Sequence, residues 1–511
     1  MKEEHNYSIY TPHKIAKEII EQTFKCYFGE DKTLKKLEAV KLGDLSCGNG
    51  NLLLTALEKL LELSKEITGE YFFSDTWITG FDINEDAVKL TIVRGRELLK
   101  KYGLTGEIKI LCRNSLEVEN MRFNILLGNP PYLGEKNNKS IFQKIRETEF
   151  GKKYYEAKMD YFYFFIEKGI EILEDKGIMA YITTNYWLRA DSGKKLRQVL
   201  CENGSFLEIK NYDNSVFTKA VGQHNIIFIW EKDKSNDKSV KISIPEKNFE
   251  IKNTLLYDEN GKIVLADEEI LKFNKKILEK SNYKLKDLVN INQGIVSGLD
   301  EAYIFDDYKE EFKNYLKPFY KNKDIGKYTN KKNNFWILYM DEKTVPDEAV
   351  MTHLKKYQSR LSKRREVKTG SINWWELQWA REREIFIKPK ILVRQRCKTN
   401  QFSYNDGEFY GSADIYFITK KNDDINLFYI LGYMNSEVFL QWFKYNGKIK
   451  GKNFEFYSTP LKETPVYYSE NKKEIVYIEE LVKKQIKSFS QEREKEIQRE
   501  ISRLVWKGFV I

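Results

Sequence analysis

The most informative segment of the chain is Phe123-Asn124-Ile125-Leu126-Leu127-Gly128-Asn129-Pro130-Pro131-Tyr132. Its first six residues form an apolar run that predicts a short buried strand. Two consecutive prolines cannot continue a strand or enter the interior of a helix, so the chain has to turn directly after that strand. The turn holds the Asn129 amide and the Pro130 carbonyl beside the ring of Tyr132.

Two acceptors beside an aromatic ring suit a planar group that carries an NH2. The acceptors take the two N–H protons while the ring stacks on the plane, and their pull makes the nitrogen nucleophilic. The simpler alternative is a strand-ending turn with an incidental tyrosine. The motif alone leaves both interpretations open, and other loops of the chain favour the binding site.

A glycine-rich loop precedes this motif. Residues 40–53 read Val-Lys-Leu-Gly-Asp-Leu-Ser-Cys-Gly-Asn-Gly-Asn-Leu-Leu, which predicts a strand, a tight loop and then a helix. Gly48 and Gly50 allow the backbone to approach a ligand closely, and the following helix presents free N–H groups. The spacing is not GxGxxG, and no Lys-Ser or Lys-Thr follows the glycines, so a phosphate-binding P-loop is excluded.

Polar residues end two further predicted strands. Asp82 stands at the end of the second strand, where an acid binds ribose hydroxyls in nucleotide-binding βαβ folds. Asn114 stands at the end of a third strand. Ligands of open α/β sheets bind at the carboxyl ends of parallel strands. We therefore expect four loops to meet at one edge of a parallel sheet, namely residues 44–50, 82–84, 114–115 and 129–132.

With these motifs in this order, the chain resembles the class I methyltransferases that use S-adenosyl-L-methionine, specifically the TaqI-like, gamma-order adenine-N6 DNA methyltransferases. The resemblance covers nearly the whole chain. It implies an α/β fold with a Rossmann-like, mostly parallel seven-stranded sheet that ends in an antiparallel hairpin. It also implies a C-terminal α+β target-recognition domain that binds DNA.

The resemblance implies roles for individual residues. It implies that the catalytic residues are Asn129, Pro130, Pro131 and Tyr132. It assigns to the S-adenosyl-L-methionine site Tyr10, Thr11, Asp44, Ser46, Cys47, Gly48, Gly50, Asp82, Ile83, Asn114, Ser115, Asn129 and Pro131. Two positions depart from the family pattern, because Leu45 stands where Pro is usual and Asn114 stands where Asp is common.

In this family an aromatic residue of the terminal hairpin stacks on the extruded base, opposite the tyrosine of the catalytic motif. Residues 205–231 predict that hairpin, and Phe217 is the best positional match within it. The resemblance therefore implies base stacking by Tyr132 and Phe217. The alternative for Phe217 is an ordinary core residue.

Length and composition predict a globular protein. The chain has 511 residues, of which 41% are hydrophobic and 14% aromatic, and this favours two or three folded domains. Its five cysteines form no CxxC pair, and the sequence contains no signal peptide and no apolar run of transmembrane length. We therefore expect a reduced, cytoplasmic protein that requires no metal and does not insert into membranes.

Basic residues are concentrated in the second half of the chain. Residues 1–240 contain 36 Lys and Arg against 36 Asp and Glu, whereas residues 241–511 contain 50 against 40. The densest region is 351–400, with 14 basic and 4 acidic residues. This distribution predicts a polyanion partner, although Lys-rich chains also carry basic faces that only contact solvent. Candidate DNA-binding residues are Arg364, Arg365, Arg394 and Arg396.

The sequence divides into four predicted segments. Residues 1–235 are expected to form the catalytic domain, the charged residues 236–285 a bridging segment, residues 286–469 the target-recognition domain, and residues 470–511 a helical segment. Within the third segment, residues 290–303 resemble the start of a TaqI-like target-recognition domain.

These features predict a site-specific methyltransferase for N6 of a flipped-out adenine in double-stranded DNA, with a cognate restriction endonuclease as a further partner. Cytosine-C5 methylation is excluded because its nucleophilic Cys usually follows Pro, and the chain has no Pro-Cys dipeptide. Cytosine-N4 enzymes more often begin the motif with Ser. Alternatives are an RNA-adenine or protein-glutamine N-methyltransferase with the same chemistry, or the methyltransferase or specificity part of a restriction system.

Overall fold

The computed structural model describes residues 10–212, 215–217, 224–233, 238–332, 335–450 and 453–505. The chain separates into two compact units, Met1–Glu269 and Ile270–Ile511. The first unit has one large sheet and the second has several small ones, and each unit has its own buried hydrophobic core.

One mixed sheet runs through the first unit. Its strands are β1 (Leu42–Asp44), β2 (Ile78–Asp82), β3 (Lys109–Cys112), β4 (Phe123–Gly128), β5 (Leu173–Thr184), β6 (Ser205–Asn211), β7 (Asn225–Glu231), β8 (Ser239–Ile244) and β9 (Lys247–Lys252). Their order across the sheet is β3-β2-β1-β4-β5-β7-β6-β8-β9.

Strands β1 to β5 run parallel to one another. Asp44 of β1 lies opposite Gly80 of β2 and Leu127 of β4, so the loops that follow these three strands leave the sheet at one edge. β7 runs antiparallel to β5, and β6 runs antiparallel to β7. The first seven strands therefore have the mostly parallel arrangement with a terminal antiparallel pair that the sequence predicts, and the α/β fold class is confirmed.

Helices cover this sheet. They are α1 (His13–Phe28), α2 (Leu34–Glu38), α3 (Asn51–Thr68), α4 (Glu85–Lys101), α5 (Lys139–Arg146), α6 (Glu149–Tyr154), α7 (Phe162–Ile172) and α8 (Lys194–Asn203). All six residues of β4 are buried, as expected for a parallel strand that is covered on both faces. α3 contributes a leucine-rich face to the core, in which Leu53, Leu57 and Leu60 are fully buried.

Two further strands extend the sheet past the predicted end of the catalytic domain. β8 pairs in parallel with β6, and β9 pairs antiparallel with β8. Val240 and Ile242 alternate with polar residues along β8 and are buried, which is the pattern of a strand with one covered face. Residues 239–252 thus lie in the sheet of the first unit, whereas the sequence predicts a bridging segment there. The sequence does not predict these strands because the outer face of the segment carries many charged side chains, and its apolar residues alternate over only a few positions.

The second unit is an α+β unit, as the sequence predicts. Its strands are β10 (Tyr283–Lys284), β11 (Val289–Gln293), β12 (Ile304–Phe305), β13 (Leu316–Tyr320), β14 (Phe335–Leu338), β15 (Lys390–Arg394), β16 (Arg396–Cys397), β17 (Phe402–Asn405), β18 (Tyr410–Gly411), β19 (Ile415–Lys420), β20 (Lys448–Lys450), β21 (Asn453–Glu455) and β22 (Pro465–Val466). They form the sheets β11-β19-β15-β17, β12-β14-β13-β18 and β16-β21-β20, and the pair β10-β22.

Twelve further helices are described from the unit boundary onward. They are α9 (Glu268–Lys280), α10 (Leu285–Leu288), α11 (Asp300–Tyr303), α12 (Glu348–Lys355), α13 (Gln358–Leu361), α14 (Arg365–Lys368), α15 (Glu384–Ile387), α16 (Leu427–Met434), α17 (Glu437–Asn446), α18 (Ser458–Lys462), α19 (Lys472–Lys487) and α20 (Gln491–Val505). Within the described ranges, none of the helices reaches the length and apolarity that a bilayer crossing requires.

We expect a fragment of residues 1–269 to unfold at a higher temperature than a fragment of residues 1–235. The shorter fragment lacks β8 and β9, so the edge of β6 loses its hydrogen-bonding partner and the apolar contacts of Val240 and Ile242. Circular-dichroism melting of the two fragments at equal concentration measures the difference. Equal melting temperatures would contradict the assignment of residues 239–252 to the first unit.

Candidate active site

The glycine loop after β1 has a conformation that few other residues tolerate. Gly48 has a φ of +54° and Gly50 a φ of +81°, both in the left-handed region. A Cβ atom on Gly50 would lie 2.6 Å from Cγ2 of Thr91, so a side chain does not fit at this position. Glycine is therefore required here for both the backbone turn and the close approach of α4.

Asp82 links the loops that follow β1 and β2. Its carboxylate accepts a hydrogen bond from the Gly48 N–H at 2.8 Å and another from the Asn84 N–H at 2.8 Å. Ile83, the next residue, is 73% exposed and leaves an aliphatic surface at the edge of the sheet. The structure therefore brings together three of the predicted cofactor residues, namely Gly48, Asp82 and Ile83.

Two residues of α4 support the glycine loop and were not predicted from the sequence. Thr91 Oγ1 donates to the Gly48 carbonyl at 2.9 Å. Arg94 donates to the Asn49 carbonyl and, at 3.0 Å, to Oδ1 of Asn51. Residues three apart lie on one face of a helix, so both side chains can reach the same loop. The sequence contains that spacing, but nothing in it identifies the loop that they contact.

Asp44, at the end of β1, is buried, with 1% of its surface exposed. Burial raises the pKa of its carboxyl to about 7; the Ser46 N–H, which donates to it at 2.9 Å, lowers the pKa, and nearby Asp82 raises it. Ser46 Oγ is buried and has no hydrogen-bond partner among the described residues. A cationic ligand at this loop would stabilise the ionised Asp44, and a polar one would satisfy Ser46 Oγ.

The segment before α1 also contacts the glycine loop. A Cβ atom on Gly48 would lie 3.0 Å from the ring of Tyr10, which itself is 45% exposed. The Thr11 carbonyl accepts a hydrogen bond from Nδ2 of Asn51 at 2.8 Å. The structure thus places the predicted residues Tyr10 and Thr11 beside the loop.

Three further predicted cofactor residues, Cys47, Asn114 and Ser115, make contacts within the protein. Cys47 is buried, and burial raises the pKa of its thiol. Ser115 Oγ donates to the backbone of the loop after β1 at 2.6 Å. Asn114 caps a short helical turn, since its Oδ1 accepts from the Leu116 N–H at 3.2 Å, and its Nδ2 donates to Glu117 at 2.8 Å. The role of Asn114 and Ser115 at a cofactor stays a prediction.

The predicted catalytic motif follows β4 directly. The Tyr132 hydroxyl lies 2.7 Å from Oδ1 of Asn129 and 3.0 Å from the Ile182 carbonyl of β5. A phenol has one proton, so it donates to only one of these oxygens at a time. Burial raises the pKa of the Tyr132 phenol, and the charge of Asp160 acts in the same direction. The hydroxyl is therefore a neutral donor at physiological pH.

Phe217 faces the ring of Tyr132. Their ring centroids are 6.4 Å apart and their planes are inclined by 55°. Phe217 is 3% exposed and packs in the core of the first unit, as a core residue would. It also lies beside Tyr132, as a base-stacking residue would, so the two interpretations from sequence do not exclude each other. A base between two parallel rings needs roughly 7 Å, because each stacking contact takes about 3.5 Å. The rings have to turn and separate before a base fits between them.

Two of the four predicted DNA-binding arginines are half-buried and donate to groups inside the second unit. The Arg364 guanidinium donates to the Trp374 carbonyl at 2.8 Å and to the Leu361 carbonyl at 3.0 Å. The Arg394 guanidinium donates to Oε1 of Gln401 at 2.9 Å. These contacts hold neighbouring segments together, while Nε of Arg394 is buried and has no hydrogen-bond partner among the described residues.

The other two arginines are exposed. Arg396 forms an ion pair with Glu455 at 3.1 Å, whereas Arg365 forms no ion pair with any described residue. Trp379, which lies in the same basic region of the sequence, is 46% exposed. In the part of the chain that the structure describes, no three His, Cys, Asp or Glu side chains are grouped so that they could hold a metal ion.

Comparison with known proteins gives two family matches. Residues 26–217 match the family described as Eco57I restriction-modification methylase, and residues 317–466 match the TaqI-like C-terminal specificity domain. The first match contains the glycine loop, Asp82 and the motif that begins at Asn129. The second match lies within the second unit.

Individual proteins are similar to most of this chain. The type II methyltransferase M.HindII of Haemophilus influenzae is 24% identical over 433 residues, which cover 76% of this chain and 80% of that protein. M.BstVI of Geobacillus stearothermophilus is 22% identical over 494 residues, which cover 84% of this chain and 85% of that protein. The solved structure of the type IIL restriction-modification enzyme MmeI in complex with DNA has a TM-score of 0.71 at 14% identity, and covers 99% of this chain and 77% of that one. At this identity the likeness concerns the fold.

We expect Asp44→Asn to stabilise the free protein, and to do so increasingly as the pH rises from about 4 to about 7. The ionised carboxyl opposes folding because its pKa is about 7 in the folded protein, against the ordinary value of 3.8 for an aspartate in water. This free-energy cost of the ionised carboxyl is absent below pH 3.8 and grows as the pH rises to about 7. Above about pH 7 it is constant, on the order of 4 kcal/mol.

Thermal unfolding at about pH 5 and about pH 8 tests this expectation. The difference in melting temperature between Asp44→Asn and the wild type should be larger at the higher pH. The matched control is Asp86→Asn, because Asp86 is exposed in the first turn of α4. A difference for Asp44→Asn that does not change with pH would contradict a raised pKa at Asp44.

Proposed function

The chain carries an Eco57I restriction-modification methylase domain followed by a TaqI-like C-terminal specificity domain, and we propose that it methylates N6 of adenine at a specific sequence of double-stranded DNA. The observation that carries the proposal is the position of Asn129 and Tyr132 directly after β4, on the sheet edge that also holds the glycine loop after β1. The type II methyltransferases among the relatives support DNA as the substrate. The choice of adenine rests on Asn129 as the first residue of the motif.

S-adenosyl-L-methionine is the methyl donor of such enzymes, and the loops after β1 and β2 fit it. When bound, it supplies an electrophilic methyl group on a sulfonium centre. Gly48 has left-handed backbone beside the ring of Tyr10, and Ser46 Oγ lacks a partner among the described residues. Asp82 uses two of the roughly four acceptor positions of its carboxylate within the protein, which leaves capacity for ribose hydroxyls. Ile83 offers an exposed aliphatic surface to a flat ring.

Asn129 and Pro130 then act on the substrate amine. The Asn129 Oδ1 and the Pro130 carbonyl accept the two N6 hydrogens, and this directs the nitrogen lone pair away from the base plane. As N6 becomes positive during the reaction, both acceptors bind its hydrogens more strongly, which lowers the barrier. The chain contributes mainly the position and orientation of the reacting nitrogen.

The hydroxyl of Tyr132 assists Asn129. An amide oxygen has two lone pairs, so Asn129 Oδ1 can accept an N6 hydrogen while Tyr132 still donates to it. A donor at this position favours the amide rotamer that presents oxygen, and not NH2, to the substrate. The hydroxyl therefore orients the acceptor in addition to the stacking that its ring provides.

The target adenine has to leave the duplex before it reaches this site. Unpairing and unstacking cost a few kcal/mol, and stacking on an aromatic residue returns about 1–3 kcal/mol per base. Tyr132 and Phe217 provide this stacking once the rings have turned from their present inclination of 55°. Entry of the base thus requires a local rearrangement at Phe217.

The second unit carries the DNA-reading surface in this proposal. Arg365, Arg396 and Trp379 are the exposed cationic and aromatic side chains that support it. Arginine binds phosphates and guanine edges, and an exposed indole can stack on bases or sugars. A restriction endonuclease with the same recognition sequence is the partner that we propose, and the cytoplasm is the proposed location, because the substrate is cellular DNA.

We expect Asn129→Ala to reduce the single-turnover rate of methyl transfer by about 100-fold or more, as for the loss of a donor or acceptor that acts on developing charge. The affinity for S-adenosyl-L-methionine, measured by calorimetry, should stay near that of the wild type. The matched control is Asn137→Ala, because Asn137 is exposed in the next turn of the chain. A near-wild-type rate in folded Asn129→Ala would show that the motif is only a structural turn.

Fluorescence of 2-aminopurine at the target position tests the base pocket. Binding of the wild type should change the fluorescence, and Tyr132→Ala and Phe217→Ala should each alter that change because one stacking surface is missing. Tyr132→Phe is the control, since it keeps the ring and loses only the hydroxyl. If Phe217→Ala gives the wild-type signal, another residue of the hairpin has to provide the second surface.

Salt titrations test the DNA-reading surface. We expect Arg365→Gln and Arg396→Gln to weaken DNA binding, and a phosphate contact should also reduce the slope of log K against log salt by about 1. A base contact should instead relax specificity at one position of the site. Lys495→Gln on α20 is the exposed control. Unchanged DNA affinity in both arginine variants would remove these residues from the surface.

A further inference from the structure

Asp160 is a buried carboxylate next to the catalytic motif, and the proposed chemistry does not use it. It is 6% exposed and forms no ion pair with any described residue. Burial raises the pKa of this carboxyl, while hydrogen bonds from its neighbours lower it. A buried acid without a cation costs free energy unless specific donors satisfy it. The donors that satisfy Asp160 therefore indicate its role.

Two strong donors bind its two oxygens. Oδ1 accepts from the Leu133 N–H at 2.9 Å, and Leu133 directly follows Tyr132. Oδ2 accepts from the Tyr186 hydroxyl at 2.6 Å. The carboxylate thus joins the exit of the Pro-Pro turn to the segment that follows β5.

The backbone around Asp160 reinforces this connection. The Tyr161 N–H donates to the Leu133 carbonyl at 3.0 Å, and the Glu135 N–H donates to the Met159 carbonyl at 3.2 Å. The chain leaving the catalytic motif is thereby paired with the chain entering α7. The Asp160 side chain closes the end of this pairing that lies nearest to Tyr132.

Tyr186 reaches Tyr132 by a second route. Its ring contacts Phe162 edge-on, with centroids 6.2 Å apart and planes inclined by 76°. Phe162 contacts Tyr132 in the same manner, at 5.8 Å and 79°. Asp160 therefore acts on Tyr132 through the backbone of Leu133 and, by way of the Tyr186 hydroxyl, through a row of packed rings.

We propose that Asp160 and Tyr186 are positioning residues that hold Tyr132 and Asn129 in the geometry required for methyl transfer. The inference rests on the function proposed above. Neither residue is a methyl acceptor, and neither is needed for the contacts of the glycine loop. Their loss should therefore slow the chemical step and leave cofactor binding intact, because a misplacement of about 1 Å can cost about 100-fold in rate.

The test compares single-turnover methylation of adenine in DNA by the wild type, Asp160→Ala, Asp160→Asn and Tyr186→Phe. At saturating DNA, Asp160→Ala should lose about 100-fold in rate. Asp160→Asn, which keeps one oxygen for the Leu133 N–H, should recover part of this loss. Tyr186→Phe removes a single hydroxyl and keeps the ring, so it decides the question if Asp160→Ala does not fold. Its rate should fall by about 10-fold, roughly the factor that corresponds to one net hydrogen bond.

Two further measurements separate positioning from general stability. The dissociation constant of S-adenosyl-L-methionine should change by less than about 2-fold in every variant, and the 2-aminopurine signal should change in Asp160→Ala and Tyr186→Phe. Tyr155→Phe is the matched control, because it removes a hydrogen bond to Glu135 on the same loop, at 2.7 Å, without touching Asp160. Its rate should equal that of the wild type.

The outcomes are distinct. Wild-type rates in folded Asp160→Ala or in Tyr186→Phe would overturn the positioning role and leave the proposed function standing. An equal loss of rate in Tyr155→Phe would assign the effect to loop stability and would also overturn it. If the wild type itself transfers no methyl group to adenine in any DNA, the proposed function fails, and the inference fails with it.

Discussion

The parallel pairing of β1 with β2 on one side and β4 on the other is the constraint on which the candidate site depends. β1 has only three residues, all buried, and Asp44 at its end lies opposite Gly80 and Leu127. Because side chains alternate along a strand, a slip of one residue would turn Asp44 to the other face of the sheet. The observed register brings the glycine loop, Asp82 and Asn129 to one edge, and the hydrogen bond from Gly48 to Asp82 holds the first two together.

The site is arranged at some cost to stability. Asp44 and Asp160 are buried carboxylates that form no ion pair with a described residue, and the glycine loop has left-handed backbone at two positions. Features of this kind are retained in proteins when a function needs them. In the proposed function, Asp44 interacts with the cation of a bound cofactor, and Asp160 holds the turn that begins at Asn129.

The sequence predicts those parts of the structure that depend on local chemistry. The apolar run before Asn129 gives β4 with the predicted ends, since a buried parallel strand and a Pro-Pro turn both have local signals. Thr91, Arg94 and Tyr186 could not be predicted as parts of the site, because their roles arise from contacts with loops distant in sequence. The same reason explains why Arg364 resembles a DNA-binding residue in sequence but has carbonyl partners in the fold.

The proposed function is tested most directly by identifying the methylated base in DNA from cells that express this chain. Nucleoside mass spectrometry combined with single-molecule sequencing reports both the modified atom and its sequence context. The proposed function predicts N6-methyladenine at one recurring sequence with the wild type, and none with Asn129→Ala. Methylation of cytosine, methyladenine without a recurring sequence, or the same modification with Asn129→Ala would contradict it.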